Sequence, residues 1–249
     1  MRERLPMRRM TEPHATLACT RLAKRPFLKG DELAALGDAT LSRQRFQAGA
    51  YIIREGELTE NIHFLSKGWA CRYATTRDGR RQISAVLLPE DICNLDTLMV
   101  ERLNYGVQML TAGTVLSIPR DRALALAGIY PGIACSFTWF GIIENTVLTQ
   151  NALCLGRQSA RERTAHLFCE LAVRLGFTDK EGAIDFNFPL TQAQMADMLG
   201  MTAIHLNRTL RQLRAEGLLN LARKTIGIVD IAALREVATF DPNYLHDDE

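Results

Sequence analysis

Arg208 and Arg211 stand one helical turn apart and follow Thr202, Ala203, Ile204, His205 and Asn207, a set of small, polar and mixed side chains. Guanidinium groups at this spacing present paired donors to one side of a helix, which suits guanine O6 and N7 or phosphate oxygens. A second basic pair, Arg223 and Lys224, separates two short apolar runs, EGLLNLA and IGIVDI. It reads as the tip of a β-hairpin that can touch a phosphate backbone. The chemistry on offer is recognition of a polyanion with readable edges. Bond-making signatures are missing from the sequence: there is no G-x-S-x-G, phosphate-binding loop, H-E-x-x-H or dinucleotide fingerprint. No catalytic residue and no metal ligand set is therefore expected.

These side chains need a scaffold, and residues 190–213, LTQAQMADMLGMTAIHLNRTLRQL, provide its signals. Thr191-x-x-Gln194 has the form of a capping box that opens a helix. Gly200 breaks that helix by supplying a left-handed turn, and Thr202 caps the next one. Two short helices joined by a glycine-containing turn make a helix-turn-helix. Ala196 is small where the second helix must approach, and Met195, Leu199, Met201, Leu206 and Leu210 close the interior. The expected DNA-binding set is Thr191, Gln192, Thr202, Ala203, Ile204, His205, Asn207, Arg208, Arg211, Arg223 and Lys224, with the hairpin as a wing.

Upstream, the texture divides the chain. Residues 1–25 read as a basic arm leading into a first helix, with LACTRLA at 17–23 and DELAAL after Gly30. From Phe46 to Ile118, β-favouring runs (YIIRE, NIHFLS, WACRYATT, QISAVLL, GVQML) alternate with turn residues, and Asp78-Gly79 marks a hairpin. After Pro131 the pattern turns helical. Ile133, Phe137, Phe140, Glu144, Val147, Asn151 and Cys154 recur at steps of four and three, a seam down one side of a long helix. That seam packs either on a second copy or on the chain's own β-domain. Gly156 is expected to interrupt this helix, and Ser159-x-x-Glu162 to cap a new one at a hinge. Residues 177–188 read as loop or short strands.

The bulk numbers fit a soluble globular protein more readily than a secreted or membrane one. Hydrophobic residues make up 47% and charged residues 23%, and the net charge is +2. No apolar run reaches the roughly 20 residues of a membrane helix, and the basic N-terminus leads into no signal-peptide core, so a cytoplasmic location is expected. The six cysteines, Cys19, Cys71, Cys93, Cys135, Cys154 and Cys169, form no C-x-x-C pair. Most of them read as small buried hydrophobes.

The chain resembles the Crp–Fnr family of bacterial regulators over about residues 25–235. Phe46-x-x-Gly49-x-x-Ile52-Ile53-x-x-Gly56-Glu57, then Ile62-His63-Phe64-Leu65-x-x-Gly68, is similar to the opening of the cyclic-nucleotide-binding β-roll. Leu190-Thr191-Gln192-x-Gln194-Met195-Ala196, Leu199-Gly200-Met201-Thr202 and Asn207-Arg208 are similar to the family's helix-turn-helix. The resemblance implies an α+β protein in three parts. They are an N-terminal double-stranded, jelly-roll-like β-roll sensor (26–130), a dimerisation helix (131–156) and a C-terminal winged helix-turn-helix (157–235), followed by a tail (236–249). It also implies a homodimer on a near-palindromic DNA operator and contact with RNA polymerase. It favours the two-chain reading of the seam, with Phe137, Phe140, Glu144, Val147 and Asn151 as dimer-helix residues. The alternative is a sensor module that acts by protein contact or ligand binding without DNA.

Arg208 matches the family's recognition-helix arginine. Ile204 stands where a glutamate is common, and His205, Asn207 and Arg208 follow an H-x-N-R variant. The sensor departs further. The stretch PEDICNLDTLMVERLNYGVQML lacks the Gly-Glu and Arg-Ser pairs that hold cyclic AMP, so cyclic AMP is not expected. Candidate effector-pocket residues in and beside this stretch are Glu90, Cys93, Asn94, Arg102 and Asn104. An iron–sulfur cluster needs a tight N-terminal cysteine group, and only Cys19 lies there. Haem has only His63 and Cys71 as candidate ligands and is not expected either. A redox-reactive thiol at Cys93 remains an open alternative.

Overall fold

The structure, a computed structural model, describes residues 27–40, 42–177, 183–222 and 224–246. The basic arm, the helix expected at 17–23, Cys19 and Arg223 lie outside the described residues. Helix α1 (Gly30–Ala39) leads into seven strands: β1 (Ser42–Phe46), β2 (Tyr51–Ile53), β3 (Asn61–Lys67), β4 (Ala70–Thr75), β5 (Arg81–Leu87), β6 (Gly106–Met109) and β7 (Gly113–Pro119). They form two antiparallel sheets, ordered β1-β7-β3 and β2-β6-β4-β5. Ile53, Val107 and Met109 of one sheet meet Leu65 and Val115 of the other in a closed core. This is the two-sheet packing of a β-roll. Asp78-Gly79 turns the β4–β5 hairpin, with Gly79 at φ 84° and Thr76 N donating to Arg80 O at 2.8 Å.

Helix α2 (Arg120–Ile129) closes the roll and α3 (Pro131–Arg157) follows it, opening on a proline at its first position. Glu32 of α1 fastens this start. Its buried carboxylate accepts from Lys29 N and from Gly132 N, both at 2.9 Å.

Two expectations about α3 are corrected. The helix runs through Gly156 to Arg157 and is capped by Gln158, whose N–H bonds Cys154 O. A single glycine costs a helix interior only about 1 kcal/mol relative to alanine, too little to break it alone. The five seam residues also face the chain's own body. Phe137 and Phe140 are buried under the β-roll. Glu144 pairs with Arg72, Val147 joins the core shared with the C-terminal unit, and Asn151 Nδ2 donates to Ser84 O at 3.3 Å.

The C-terminal unit begins at α4 (Ala160–Arg174), whose capping box pairs Ser159 with Glu162 as expected. It continues through β8 (Ile184–Asn187), α5 (Gln192–Leu199), α6 (Ala203–Ala215), β9 (Leu219–Ala222), β10 (Thr225–Ile228) and α7 (Ile231–Ala238). The three strands pair in the order β8-β10-β9. The segment expected as a tail folds back instead: α7 runs to Ala238, a 3₁₀ turn spans Pro242–Leu245, and Leu245 is buried.

Candidate nucleic-acid interface

The two helices α5 and α6 meet as their caps dictate. Thr191 Oγ1 accepts from Gln194 N at 3.2 Å while Gln194 Oε1 accepts from Thr191 N at 2.8 Å. Gly200 takes φ 60°, ψ 43°, the left-handed cap that lets the chain turn. Thr202 Oγ1 accepts from His205 N and starts α6. Met195, Leu199, Leu206, Leu210 and Leu213 are buried between the helices. With that side of α6 filled, Thr202, Ala203, Ile204, His205, Arg208 and Arg211 are all exposed, and Asn207 is half-buried. Asn207 Nδ2 donates to Gln192 Oε1 at 3.3 Å, tying the start of α5 to the outer face of α6. Lys224 is exposed at the wing turn with φ 61°. The sequence-derived set, Arg223 aside, thus lies along α5, α6 and the wing. At the other end of α6, Arg161 on α4 grips Glu216 with bonds of 2.7 and 3.0 Å.

The candidate effector residues do not converge. Asn94 is fully buried and staples the roll, accepting from His63 N at 2.8 Å and donating to Asn61 O at 2.9 Å. Cys93 is equally buried, and burial pushes its thiol up to about 12. A reactive thiol needs the opposite shift, so the redox role is not supported by its surroundings. Glu90 sits in a turn at φ 84°, its N–H bonding Leu65 O. Only Arg102 and Asn104 share a cleft, about 640 Å³, with Leu98, Met99, Leu124 and Phe137. His63 hydrogen-bonds Ser117, and burial lowers it to about 4. It lies in a different sheet from Cys71. Among the described residues no group of three or more His, Cys, Asp or Glu side chains gathers as a metal site.

Sequence reasoning missed the groups that join the β-roll to the C-terminal unit. Arg72 of β4 is buried, donating Nε to Cys93 O at 2.7 Å and Nη2 to Ile92 O at 2.9 Å, and its Nη2 lies 2.5 Å from Glu144. The chamber beside it, lined also by Asp91, Phe140, Arg174 and Leu245, measures about 50 Å³. Ligand pockets are typically about 300–1,000 Å³. With its cation already neutralised by Glu144, this chamber does not fit a cyclic nucleotide.

A second network crosses the boundary between the two units. Arg174 of α4 pairs with Asp91 at 2.7 Å and with Glu170 at 3.3 Å. Tyr244 OH donates to Glu170 Oε2 at 2.9 Å, so His166 Nε2, 3.1 Å away, acts as donor to the phenol oxygen. Burial lowers the His166 pKa, which favours the neutral ring. Gln82 of β5 donates to Met198 O of α5 at 2.9 Å and fixes the first helix of the pair against the roll. One signal for these groups was visible: a lone arginine inside the apolar strand WACRYATT must find a carboxylate.

Residues 43–130 match the cyclic nucleotide-binding domain, and residues 162–237 match the Crp-like helix-turn-helix domain. The nitrogen fixation regulation protein FixK of Azorhizobium caulinodans is 28% identical over 206 residues, 82% of this chain and 81% of its own length. The transcriptional activator FnrL of Cereibacter sphaeroides is also 28% identical, over 85% of this chain and 86% of its own. The solved structure of FixK2 from Bradyrhizobium japonicum shares the fold with a TM-score of 0.73 at 24% identity, over 80% of this chain and 98% of that one.

Proposed function

The chain belongs to the Crp–Fnr family of DNA-binding transcription regulators, and we propose that it works as a cytoplasmic homodimer that reads a near-palindromic operator and contacts RNA polymerase there. The observation that carries the reading is the outer face of α6. Arg208 and Arg211 are exposed on a helix whose other side is fully packed, beside an exposed wing lysine. Arg208 is the base-reading residue, bidentate to a guanine, and Lys224 is a phosphate contact. The role is regulatory, with no catalytic step.

The dimer uses the outer face of α3. Cys135, Thr138, Ile142, Asn145, Thr149 and Ala152 are exposed at alternating steps of three and four. None is charged, Ile142 is 55% exposed, and Leu153 is exposed on the same side further along the helix. Such a stripe suits a two-helix contact. Any effector of the roll is something other than cyclic AMP, in keeping with the small chamber beside Arg72.

One variant tests dimer and function together. Ile142→Glu should halve the mass seen by light scattering and abolish tight binding to the protein's own promoter DNA in fluorescence anisotropy. An unchanged mass would overturn the dimer face. Failure of the wild type to bind any promoter duplex selectively would overturn the function.

A further inference from the structure

The residue just before the H-x-N-R stretch has no hydrogen-bonding task. Ile204 is 77% exposed in the first turn of α6. Its polar neighbours are partly committed: Thr202 Oγ1 caps the helix and Asn207 reaches Gln192. Among the other exposed large apolar residues, Ile142 and Leu153 fall on the outer face of α3, and Met99 and Val100 lie beside the cleft. Ile204 stands apart from both, four residues before Arg208 on the same side of the helix.

We infer that Ile204 reads the 5-methyl group of a thymine in each operator half-site, next to or one step removed from the guanine contacted by Arg208. The inference rests on the DNA-binding reading above. An isoleucine offers no donor or acceptor, so it cannot read the oxygen, nitrogen or amino edges of the major groove. The one base feature there that rewards an apolar side chain is the thymine methyl. Four residues of helix advance about 6 Å and successive base pairs about 3.4 Å, which places the two contacts within about two base pairs. A glutamate here would instead accept from cytosine N4. Isoleucine therefore exchanges a polar preference for an apolar one at this base pair, and the neighbouring guanine contact is untouched.

The test begins with an operator selected by the wild-type dimer from random-sequence duplexes. Each thymine is then replaced in turn by deoxyuridine, which removes only the methyl. One position per half-site should weaken wild-type binding about fourfold, and both together about fifteenfold, the worth of one buried methyl-sized group each. Ile204→Ala should be indifferent to that same replacement and keep its guanine preference. Because Ile204 is so exposed, the variant should fold as the wild type does. Wild-type binding that ignores every deoxyuridine, or an Ile204→Ala variant that keeps the wild-type sensitivity, overturns the inference and leaves the DNA-binding reading standing. If the selection returns no preferred duplex, both fall.

Discussion

The outer face of α6 and the boundary under α4 both hold arginines, yet they treat the charge in opposite ways. Arg208 and Arg211 stand in solvent, where an unpaired guanidinium is fully hydrated and waits for its partner. In the boundary the Arg174 side chain is 7% exposed, Asp91 4% and Glu170 3%. There each charge is tolerable only because the others are present. The exposed face can therefore vary at little cost to folding, whereas the buried one ties the β-roll to the C-terminal unit and must be kept whole. Substitutions on α6 should change binding and leave stability alone. Substitutions in the boundary should do the reverse first.

The largest effect should come from Asp91→Ala. It leaves Arg174 buried beside Glu170 alone and removes the acceptor of Leu88 N, which lies 2.7 Å from Asp91 Oδ2. Removing one partner of a buried pair costs on the order of 3–5 kcal/mol, readable in urea unfolding. A loss like that of a surface change, within about 0.5 kcal/mol, would erase the contrast between the two regions. Tyr244→Phe is milder. It deletes one hydroxyl that serves both Glu170 and His166, and about 1–3 kcal/mol should be lost. Its effect also measures how firmly the C-terminal turn holds the two units together.

A smaller signature lies in pH. Burial holds His63 near 4, below its ordinary 6.5, and His166 is shifted in the same direction. Below 6.5 the unfolded chain takes up protons that the folded chain refuses. Stability should then be fully present above 6.5 and decline as pH falls towards about 4. His63→Gln should flatten part of that decline in urea midpoints. An identical pH profile for the variant would remove His63 from the explanation.

The two regions were unequally legible in the sequence. Around α5 and α6 every signal is local: Thr191 and Gln194 are three residues apart, and Gly200 and Thr202 mark the turn directly. In the boundary, Asp91 and Arg174 are 83 residues apart and Glu170 and Tyr244 are 74 apart. No spacing rule joins such partners. Helix α3 shows a subtler failure. Its only charged residues are Glu144 and Arg157, so uncharged stripes run down both sides and periodicity alone cannot say which one faces the chain's own body. Glu144 was the available clue, since a carboxylate inside an apolar stripe requires a nearby cation, and Arg72 supplies it. The effector stretch misled for another reason. The stretch passes from a continuous buried run, residues 91–95, to an exposed edge, so Asn94 points inward while Arg102 reaches Gly56 O in solvent.

The most direct test is a library of operator variants bound by the wild type, Arg208→Ala and Lys224→Ala at two salt concentrations. Arg208→Ala should lose about 1–3 kcal/mol on the preferred site and become indifferent at one base pair per half-site. Lys224→Ala should weaken all sequences alike and lower the salt slope by about one per half-site contact. If Arg208→Ala keeps the wild-type base preference and shifts only the salt slope, Arg208 touches phosphate alone, and the reading of α6 as the sequence-selective element is contradicted.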